Sequence, residues 1–206
     1  MRPVLMCCAS VLVVTLTSVA FADDLLPAPW RTTPPGQPPT TLQAWQFSAP
    51  TNPSPPDVVF NSFGNPLATV HYTTPFTPWL PEDHGHFGVW YVEDWISFEL
   101  PNQPDPNLQK LLWVQVTFSS VGGQDPLFFT NPPLASVEIV RRVPLDQYYW
   151  HGTYLIKIQP NPPMETLYIA PRECAINIDQ VVIDTICIPE PGTLALLAVC
   201  GLFRRR

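Results

Sequence analysis

Apolar and polar residues alternate along much of the chain from Pro66 onward, which is the pattern of β-strands with one buried face. In the segment 112–118 the even positions are apolar and the odd positions are Trp113, Gln115 and Thr117. The same alternation recurs in shorter runs: Ile96 to Leu100, Tyr154 to Ile158, and Leu167 to Ile169.

Clusters of proline and asparagine separate these runs at residues 101–107, 131–133 and 160–163. Such clusters are typical of strand ends and turns. No segment has the period of a long amphipathic helix. Many short strands joined by proline-containing turns predict an all-β domain, an antiparallel β-sandwich of the jelly-roll-like kind.

The last predicted strand, residues 175–185, reads Ala-Ile-Asn-Ile-Asp-Gln-Val-Val-Ile-Asp-Thr. It resembles the closing strand of carbohydrate-binding and concanavalin-like jelly rolls, in which an Ile-Asp-x-Val pattern recurs. This resemblance implies a galactose-binding or concanavalin-like sandwich. It implies no activity, because a fold alone does not specify a function.

The N-terminus has the order of a secretory leader. Arg2 is basic, Val4 to Val19 is apolar, and Ala20 and Ala22 provide the small residues that leader peptidase requires. We therefore expect residues 1–22 to form a signal helix that is removed before Asp23. A membrane anchor is the alternative, but the run is shorter than the ~20 apolar residues of a spanning helix.

The C-terminus combines a turn, an apolar run and a basic cluster. In order these are Pro189, Glu190 and Pro191, then Thr193 to Phe203, then Arg204, Arg205 and Arg206. This order resembles the PEP-CTERM sorting signal, which implies recognition and removal by an exosortase and release to the cell surface or extracellular matrix. The resemblance also implies that residues 189–206 contain a short hydrophobic helix that enters the inner membrane transiently.

The apolar run of this tail is short. As a helix, 11 residues extend about 16 Å, against a hydrocarbon core of ~30 Å. An amphiphilic helix packed on the domain is the alternative interpretation. The three terminal arginines favour a stop signal, with the basic cluster left in the cytoplasm.

Between the two signals, we predict a proline-rich N-terminal arm, residues 23–56, and a β-sandwich domain, residues 57–188. The arm holds 10 prolines between Pro27 and Pro56, which favours extended backbone. One short strand is expected at Thr41 to Ser48, at a sheet edge. This arm and the strand Lys110 to Phe118 also resemble uncharacterised exported PEP-CTERM proteins.

The charge of residues 23–190, which we call the body, restricts the partners of the chain. Residues 23–190 contain all 17 acidic side chains and 6 of the basic ones, so their net charge is 6 − 17 = −11. Phosphates would repel so acidic a surface, which argues against nucleic acid and anionic lipid as ligands. The two cysteines of the body, Cys174 and Cys187, would form a disulfide in an oxidising compartment or lie as two free buried thiols.

Glu82, Asp83, His84 and His86 are the densest group of metal-ligating residue types. In an extended segment His84 and His86 would point the same way, as two ligands of a transition metal do, and Asp94 would supply a third. A polar loop is the alternative. Asp179, with nearby carbonyl oxygens, would suit a structural Ca²⁺; no other cofactor is expected.

Tryptophan suggests one binding function. Trp95 and Trp113 lie on the faces opposite their strands' aliphatic residues, where exposed rings would stack on sugars. The alternative is that the proline-rich arm covers them.

Three functions from different classes follow. The sequence contains no nucleophile elbow, metalloprotease motif or phosphate loop. The adjacent Glu93 and Asp94 would point to opposite faces of a strand, which is unsuitable for a catalytic pair. We therefore predict that the chain is not an enzyme. The first hypothesis is a non-catalytic protein of the cell surface or extracellular matrix. A module that binds extracellular polysaccharide is the alternative, and an extracellular hydrolase is the third.

Overall fold

The computed structural model describes residues 23–31, 39–73, 78–103, 105 and 108–189. The predicted signal helix with Ala20 and Ala22 lies outside the described residues. The same holds for the sorting tail from Glu190 onward, including Pro191, the hydrophobic helix and Arg204 to Arg206. Pro189, the first residue of the predicted sorting motif, is described and ends the last strand.

The described residues form twelve strands, one 3₁₀ turn at Val121–Gly123, and no α-helix. The strands are β1 (Thr40–Trp45), β2 (Val58–Phe60), β3 (Leu67–His71), β4 (Trp79–Asp83), β5 (His86–Val92), β6 (Trp95–Pro101), β7 (Leu108–Ser120), β8 (Leu127–Asn131), β9 (Leu134–Pro144), β10 (Trp150–Ile158), β11 (Met164–Ala170) and β12 (Ile176–Pro189). Within these residues, nothing helical has the length and apolar character needed to span a bilayer.

The strands form two antiparallel sheets, which confirms the all-β fold class. The larger sheet has the order β2-β1-β12-β7-β10-β9, and β5 joins it beside β12 with β4 on its outer side. The smaller sheet has the order β3-β6-β11-β8. The strands predicted from alternation correspond to β6, β7, β10, β11 and β12. The cluster at residues 160–163 lies between β10 and β11, as expected, while Pro101 and Asn131 are the last residues of β6 and β8.

Apolar side chains from both sheets meet in one core. The even positions of β7 from Leu112 to Phe118 are fully buried and pack with Ile96, Phe98 and Leu100 of β6. This confirms the prediction that the even positions of this segment face the core. Trp45 also lies in this core, in an edge-to-face contact with Phe98 at 4.9 Å between ring centroids.

The predicted arm is part of the larger sheet. β1 pairs with β2 on one side and with β12 on the other, and all six of its residues are buried. The prediction that this strand lies at a sheet edge is therefore wrong. β1 of the predicted arm is therefore the hydrogen-bonding neighbour of β12 of the predicted sandwich domain.

Residues 23–31, which we call the strap, cover the outer face of β7 and β12. Gln115 on β7 accepts a hydrogen bond from the Leu26 backbone N–H (2.9 Å) and donates one to Asp24 (2.6 Å). The strap therefore supplies polar partners to a sheet face that would otherwise carry buried polar groups without partners.

Arg31 anchors the end of the strap to the sheet. Its guanidinium forms ion pairs with Asp24 on the strap and with Asp184 on β12, where its Nε lies 2.8 Å from Asp184 Oδ1. Asp184 is only 2% exposed. Burial raises the pKa of Asp184, and the hydrogen bonds and charge of Arg31 act in the opposite direction.

Replacing Arg31 should therefore destabilise the fold. We expect Arg31→Ala to lower the free energy of unfolding by about 2 kcal/mol, because it leaves the Asp184 carboxylate buried without its cation. Urea denaturation measures the change. Arg141→Ala removes an exposed arginine and is the matched control, while Arg31→Met with Asp184→Leu should recover most of the loss. Equal stability of Arg31→Ala and the control would contradict this role for Arg31.

Candidate functional site

An open cleft of about 600 Å³ lies between the β4–β5 hairpin, β12 and the first residue of the strap. His86, Phe87 and Asp179 line it, together with Gln180 and the half-buried ring of Trp79. The Trp79 ring is fixed by a hydrogen bond from its indole N–H to the Phe47 carbonyl (2.9 Å).

A tight turn places His86 in this cleft. His84 and Gly85 have positive φ values of 52° and 88°, so they form the two-residue turn of a β-hairpin, for which glycine at the second position is favourable. Asp83 and His86 are consequently paired across the hairpin. The prediction of an extended segment with His84 and His86 on one face is wrong, because the chain reverses between them.

A bulge in β12 places Asp179 opposite His86. The register of β12 against β7 shifts between Ile178 and Gln180, and Asp179 is the extra residue. Here the neighbour of β12 also changes from β5, which pairs at residues 176–178, to β1, which pairs at 181–186. Bulges commonly redirect a side chain in this way.

His86 lies between two carboxylates. Its Nδ1 is 2.8 Å from Asp179 Oδ2, and its Nε2 is 3.1 Å from Asp146 Oδ2. Only the imidazolium form can donate from both nitrogens at once. Burial lowers the pKa of His86, but the hydrogen bonds and charges of Asp179 and Asp146 outweigh burial, so the pKa of His86 is raised.

The two carboxylates differ in environment. Asp179 is buried, which raises its pKa although the hydrogen bond from His86 acts in the opposite direction. Asp146 is exposed and accepts the backbone N–H groups of Tyr148 (2.7 Å) and Tyr149 (2.8 Å), which lower its pKa. A buried carboxylate and an exposed carboxylate thus hold the same imidazolium.

A second set of contacts fixes the orientation of the His86 ring. Tyr149 stacks on this ring, with centroids 3.7 Å apart and an interplanar angle of 21°. The Tyr149 hydroxyl donates to Asp83 Oδ2 (2.8 Å), which also accepts from the Asn177 amide (2.7 Å). Burial, followed by this bond to Asp83, raises the pKa of Tyr149.

The predicted metal ligands do not assemble into one site. Asp83 and His86 have the partners described above, His84 stacks on Tyr148 at 3.7 Å, and Glu82 is exposed on β4. Asp94 follows the far end of β5, about 20 Å along the strand from His86. Among the described residues, no group of three or more His, Cys, Asp or Glu side chains is arranged to hold a metal ion. Asp179, the predicted Ca²⁺ ligand, has its Oδ2 in the hydrogen bond with His86, and a Ca²⁺ site there stays a prediction.

Of the two predicted sugar-stacking rings, Trp113 is buried, so the prediction is wrong for it, while Trp95 is exposed as expected and its binding of sugar stays a prediction. Trp113 is 6% exposed: Trp30 of the strap packs edge-to-face on it, and its indole N–H donates to the Leu26 carbonyl (2.7 Å). Trp95 is 41% exposed, but it belongs to the smaller sheet and packs beside His71. The two rings therefore do not form one shared surface. Trp113 is covered by the arm, as the alternative prediction states.

The candidate disulfide is not formed either. Cys174 is exposed and Cys187 is buried, and both are free thiols. They lie near opposite ends of β12, whose 14 residues extend the intervening chain. A disulfide requires Cα atoms within about 7 Å, which an extended strand of this length does not allow.

Comparisons with protein-family models, with curated proteins and with solved structures find no match to this chain.

Sequence reasoning identified His86 and Asp179 but missed the residues that complete the site: Asp146, Tyr149, Phe87 and Gln180. Asp146 lies 60 residues from His86, and only the pairing of β10 with its neighbours brings its loop to the hairpin. Phe87 gave one usable signal, a large apolar residue next to a charged turn.

The raised pKa of His86 predicts a pH-dependent contribution to stability. The contribution is complete below the unfolded pKa of about 6.5 and is lost as pH rises through the folded pKa. We expect His86→Gln to destabilise the protein most near pH 6 and least at alkaline pH. His84→Gln, in the same turn, is the control and should have a smaller effect.

NMR titration of the imidazole in the native protein checks this prediction directly, with His86→Gln assigning the resonance. A midpoint above 6.5 is expected. A midpoint at or below that value would contradict the charged bridge between Asp179 and Asp146.

Proposed function

We propose that this chain is an exported, non-catalytic protein of the cell surface or extracellular matrix, sorted by an exosortase, and that its cleft binds neutral extracellular polysaccharide. The observation that carries the proposal is the composition of the cleft. An exposed aromatic ring lies beside fixed hydrogen-bonding groups, and this combination suits a ligand with apolar C–H faces and many hydroxyls.

Phe87 is the aromatic surface of this proposed site. Its side chain is 69% exposed, and it follows His86 directly on β5. Gln180 lines the same cleft, and its side-chain amide carries both donor and acceptor atoms. A sugar ring stacked on Phe87 would bring its hydroxyls to these groups.

The charge of the body supports a neutral ligand. A net charge of −11 over residues 23–190 would repel an acidic polymer at low ionic strength. Neutral hydroxyl-rich chains are unaffected by this repulsion.

The arrangement of the carboxylates supports binding over hydrolysis. A glycosidase places two carboxyl groups on either side of an open space that the scissile bond occupies. Here the imidazole of His86 fills the space between Asp179 and Asp146, and it forms hydrogen bonds to both. Hydrolysis would require this bridge to open.

The ends of the described fold are compatible with trimming at both termini. Cleavage after Ala22 would leave Asp23, whose backbone nitrogen donates to Gln180 Oε1 (2.5 Å) at the edge of the cleft. At the other end, the last pair of β12 is Pro189 with Leu108, so removal of the residues that follow would leave every described strand intact.

We also propose that the two sheets form a jelly-roll-like sandwich of the galactose-binding or concanavalin-like kind. The shared core of the two sheets supports this arrangement. So does the long closing strand, β12, which lies inside the larger sheet between β1 and β7.

Binding is tested with two phenylalanine variants. We expect Phe87→Ala to weaken binding to a neutral polysaccharide isolated from the producing cells by about tenfold, the loss that corresponds to one stacking contact of ~1.4 kcal/mol. Phe129→Ala is the matched control, because Phe129 is also exposed (52%) but lies on β8 of the smaller sheet. Affinity electrophoresis measures both. If the unaltered protein and both variants migrate at the same rate with and without the polysaccharide, the binding site is refuted.

Export and sorting are tested separately from binding. Mass spectrometry of the surface form should find a chain that begins at Asp23 and lacks Arg204 to Arg206. In cells without exosortase, the arginine-ended tail should be retained. A surface form that keeps residues 1–22 or the three arginines would contradict this part of the proposal, whatever the outcome of the binding assay.

A further inference from the structure

A second polar cluster lies between the two sheets, far from the cleft. Lys110 of β7 and Glu165 of β11 are both 0% exposed, and Asn102, directly after β6, is 4% exposed. Cys187, which pairs with Lys110 across β7 and β12, lies eight residues along β12 from Asp179, about 26 Å away. The cluster is therefore separate from the proposed polysaccharide site.

The lysine amine is held against the side-chain amide of Asn102. Lys110 Nζ lies 2.6 Å from Asn102 Oδ1 and 3.3 Å from Glu165 Oε1. A carbonyl bond is about 1.2 Å long, so Nζ is no more than about 3.8 Å from the amide carbon Cγ. Reacting atoms in a near-attack geometry are about 3–3.5 Å apart, so a small adjustment would bring the amine into attacking position.

The amide of Asn102 is fixed and polarised. Its Oδ1 accepts hydrogen bonds from the Gln103 backbone N–H (2.7 Å) and from the Cys187 thiol (3.1 Å), in addition to Lys110. Its Nδ2 donates to the Pro162 carbonyl (2.8 Å) and to Asn161. Several donors on one carbonyl oxygen stabilise the negative charge that develops there when a nucleophile attacks the carbon.

Glu165 is placed to transfer protons. Its carboxyl is fully buried and lies beside the amine, with Oε1 3.3 Å from Lys110 Nζ. Burial raises the pKa of Glu165, although the charge of Lys110 acts in the opposite direction, and a raised pKa favours the neutral acid. Moving one proton from the ammonium to the carboxylate would make both groups neutral, which lowers the cost of burying them.

We propose that Lys110 and Asn102 become joined by an intramolecular isopeptide bond, with Glu165 as the acid and base. The neutral Nζ attacks Cγ of Asn102 while the Glu165 carboxyl donates its proton to Oδ1. The carboxylate then takes a proton from Nζ and passes it to Nδ2 of the tetrahedral intermediate. As the C–N bond to Nδ2 breaks and ammonia leaves, the Glu165 carboxylate takes back the proton from the Oδ1 hydroxyl, which becomes the carbonyl of the new Nζ–Cγ amide. No electrons are exchanged with an outside reagent, and Glu165 ends as the neutral acid with which the attack began.

The bond would connect the two sheets covalently. Asn102 follows β6 of the smaller sheet and Lys110 belongs to β7 of the larger sheet, so the amide would close the loop of residues 102–110 across the end of the core. It would also remove a buried charge pair and replace it with one neutral amide. A protein that functions outside the cell would thereby gain a crosslink that does not depend on the redox environment.

Mass spectrometry of the native protein tests the proposal. The chain should be lighter by one ammonia molecule. After denaturation, trypsin should fail to cleave after Lys110, because the amide removes its charge, so the peptide 32–141 should replace peptides 32–110 and 111–141. Fragmentation should locate the crosslink between residues 102 and 110. An unmodified mass together with complete cleavage after Lys110 would overturn the proposal.

Variants separate the isopeptide from a succinimide formed at Asn102, which also loses ammonia. Lys110→Arg and Glu165→Gln should both retain the full mass, and Glu165→Gln should restore cleavage after Lys110. Loss of ammonia in either variant would contradict the proposed chemistry. The peptide analysis of the unaltered chain needs no variant, so the test holds even if a substitution at this buried cluster prevents folding.

Discussion

The whole structure depends on covering both faces of β12. This strand lies inside the larger sheet, and its inner face, with Val181 and Ile183, packs in the core shared with the smaller sheet. Its outer face carries Asp184, whose charge cannot be buried without a partner. The strap provides that partner through Arg31 and covers the neighbouring Trp113 as well. The residues before β1 are thus as much a part of the fold as the strands.

The same strand organises the candidate site. The bulge at Asp179 occurs where β12 exchanges β5 for β1 as its neighbour, and it turns a buried carboxylate toward the β4–β5 hairpin. Each of the three buried acidic residues within the described ranges faces a basic side chain: Asp184 faces Arg31, Asp179 faces His86, and Glu165 faces Lys110. These pairs differ in solvent access, and the differences match the roles inferred for them. Arg31 anchors the strap, His86 lines an open cleft, and Lys110 lies in a dry interior where it is proposed to react.

The core could be predicted from sequence because alternation is a local property. The even positions of β7 and the apolar positions of β6 and β10 are buried as their period indicates. The same reasoning wrongly predicted an exposed Trp113. Alternation places it on the face opposite the core, and it cannot show that a distant segment covers that face. Nothing in the spacing of residues 23–31 specified which sheet face they would cover.

The site could be predicted only in part, for a related reason. Residue type alone singles out His86 and Asp179 but points to two different metal sites, because their contact spans 93 positions of the chain. Glu165 and Asn102 gave no signal at all. Their significance depends on the two sheets bringing them to the same lysine, and tertiary packing of this kind leaves no local pattern.

Hydrogen exchange shows whether the strap completes the fold. The chain from Asp23 to Pro189 would be compared with one that starts at residue 32, and exchange of the β7 and β12 amides would be followed by mass spectrometry. We expect removal of the strap to accelerate exchange in both strands together, because the buried face of the larger sheet becomes solvated. Unchanged protection of β7 and β12 in the shortened chain would contradict it.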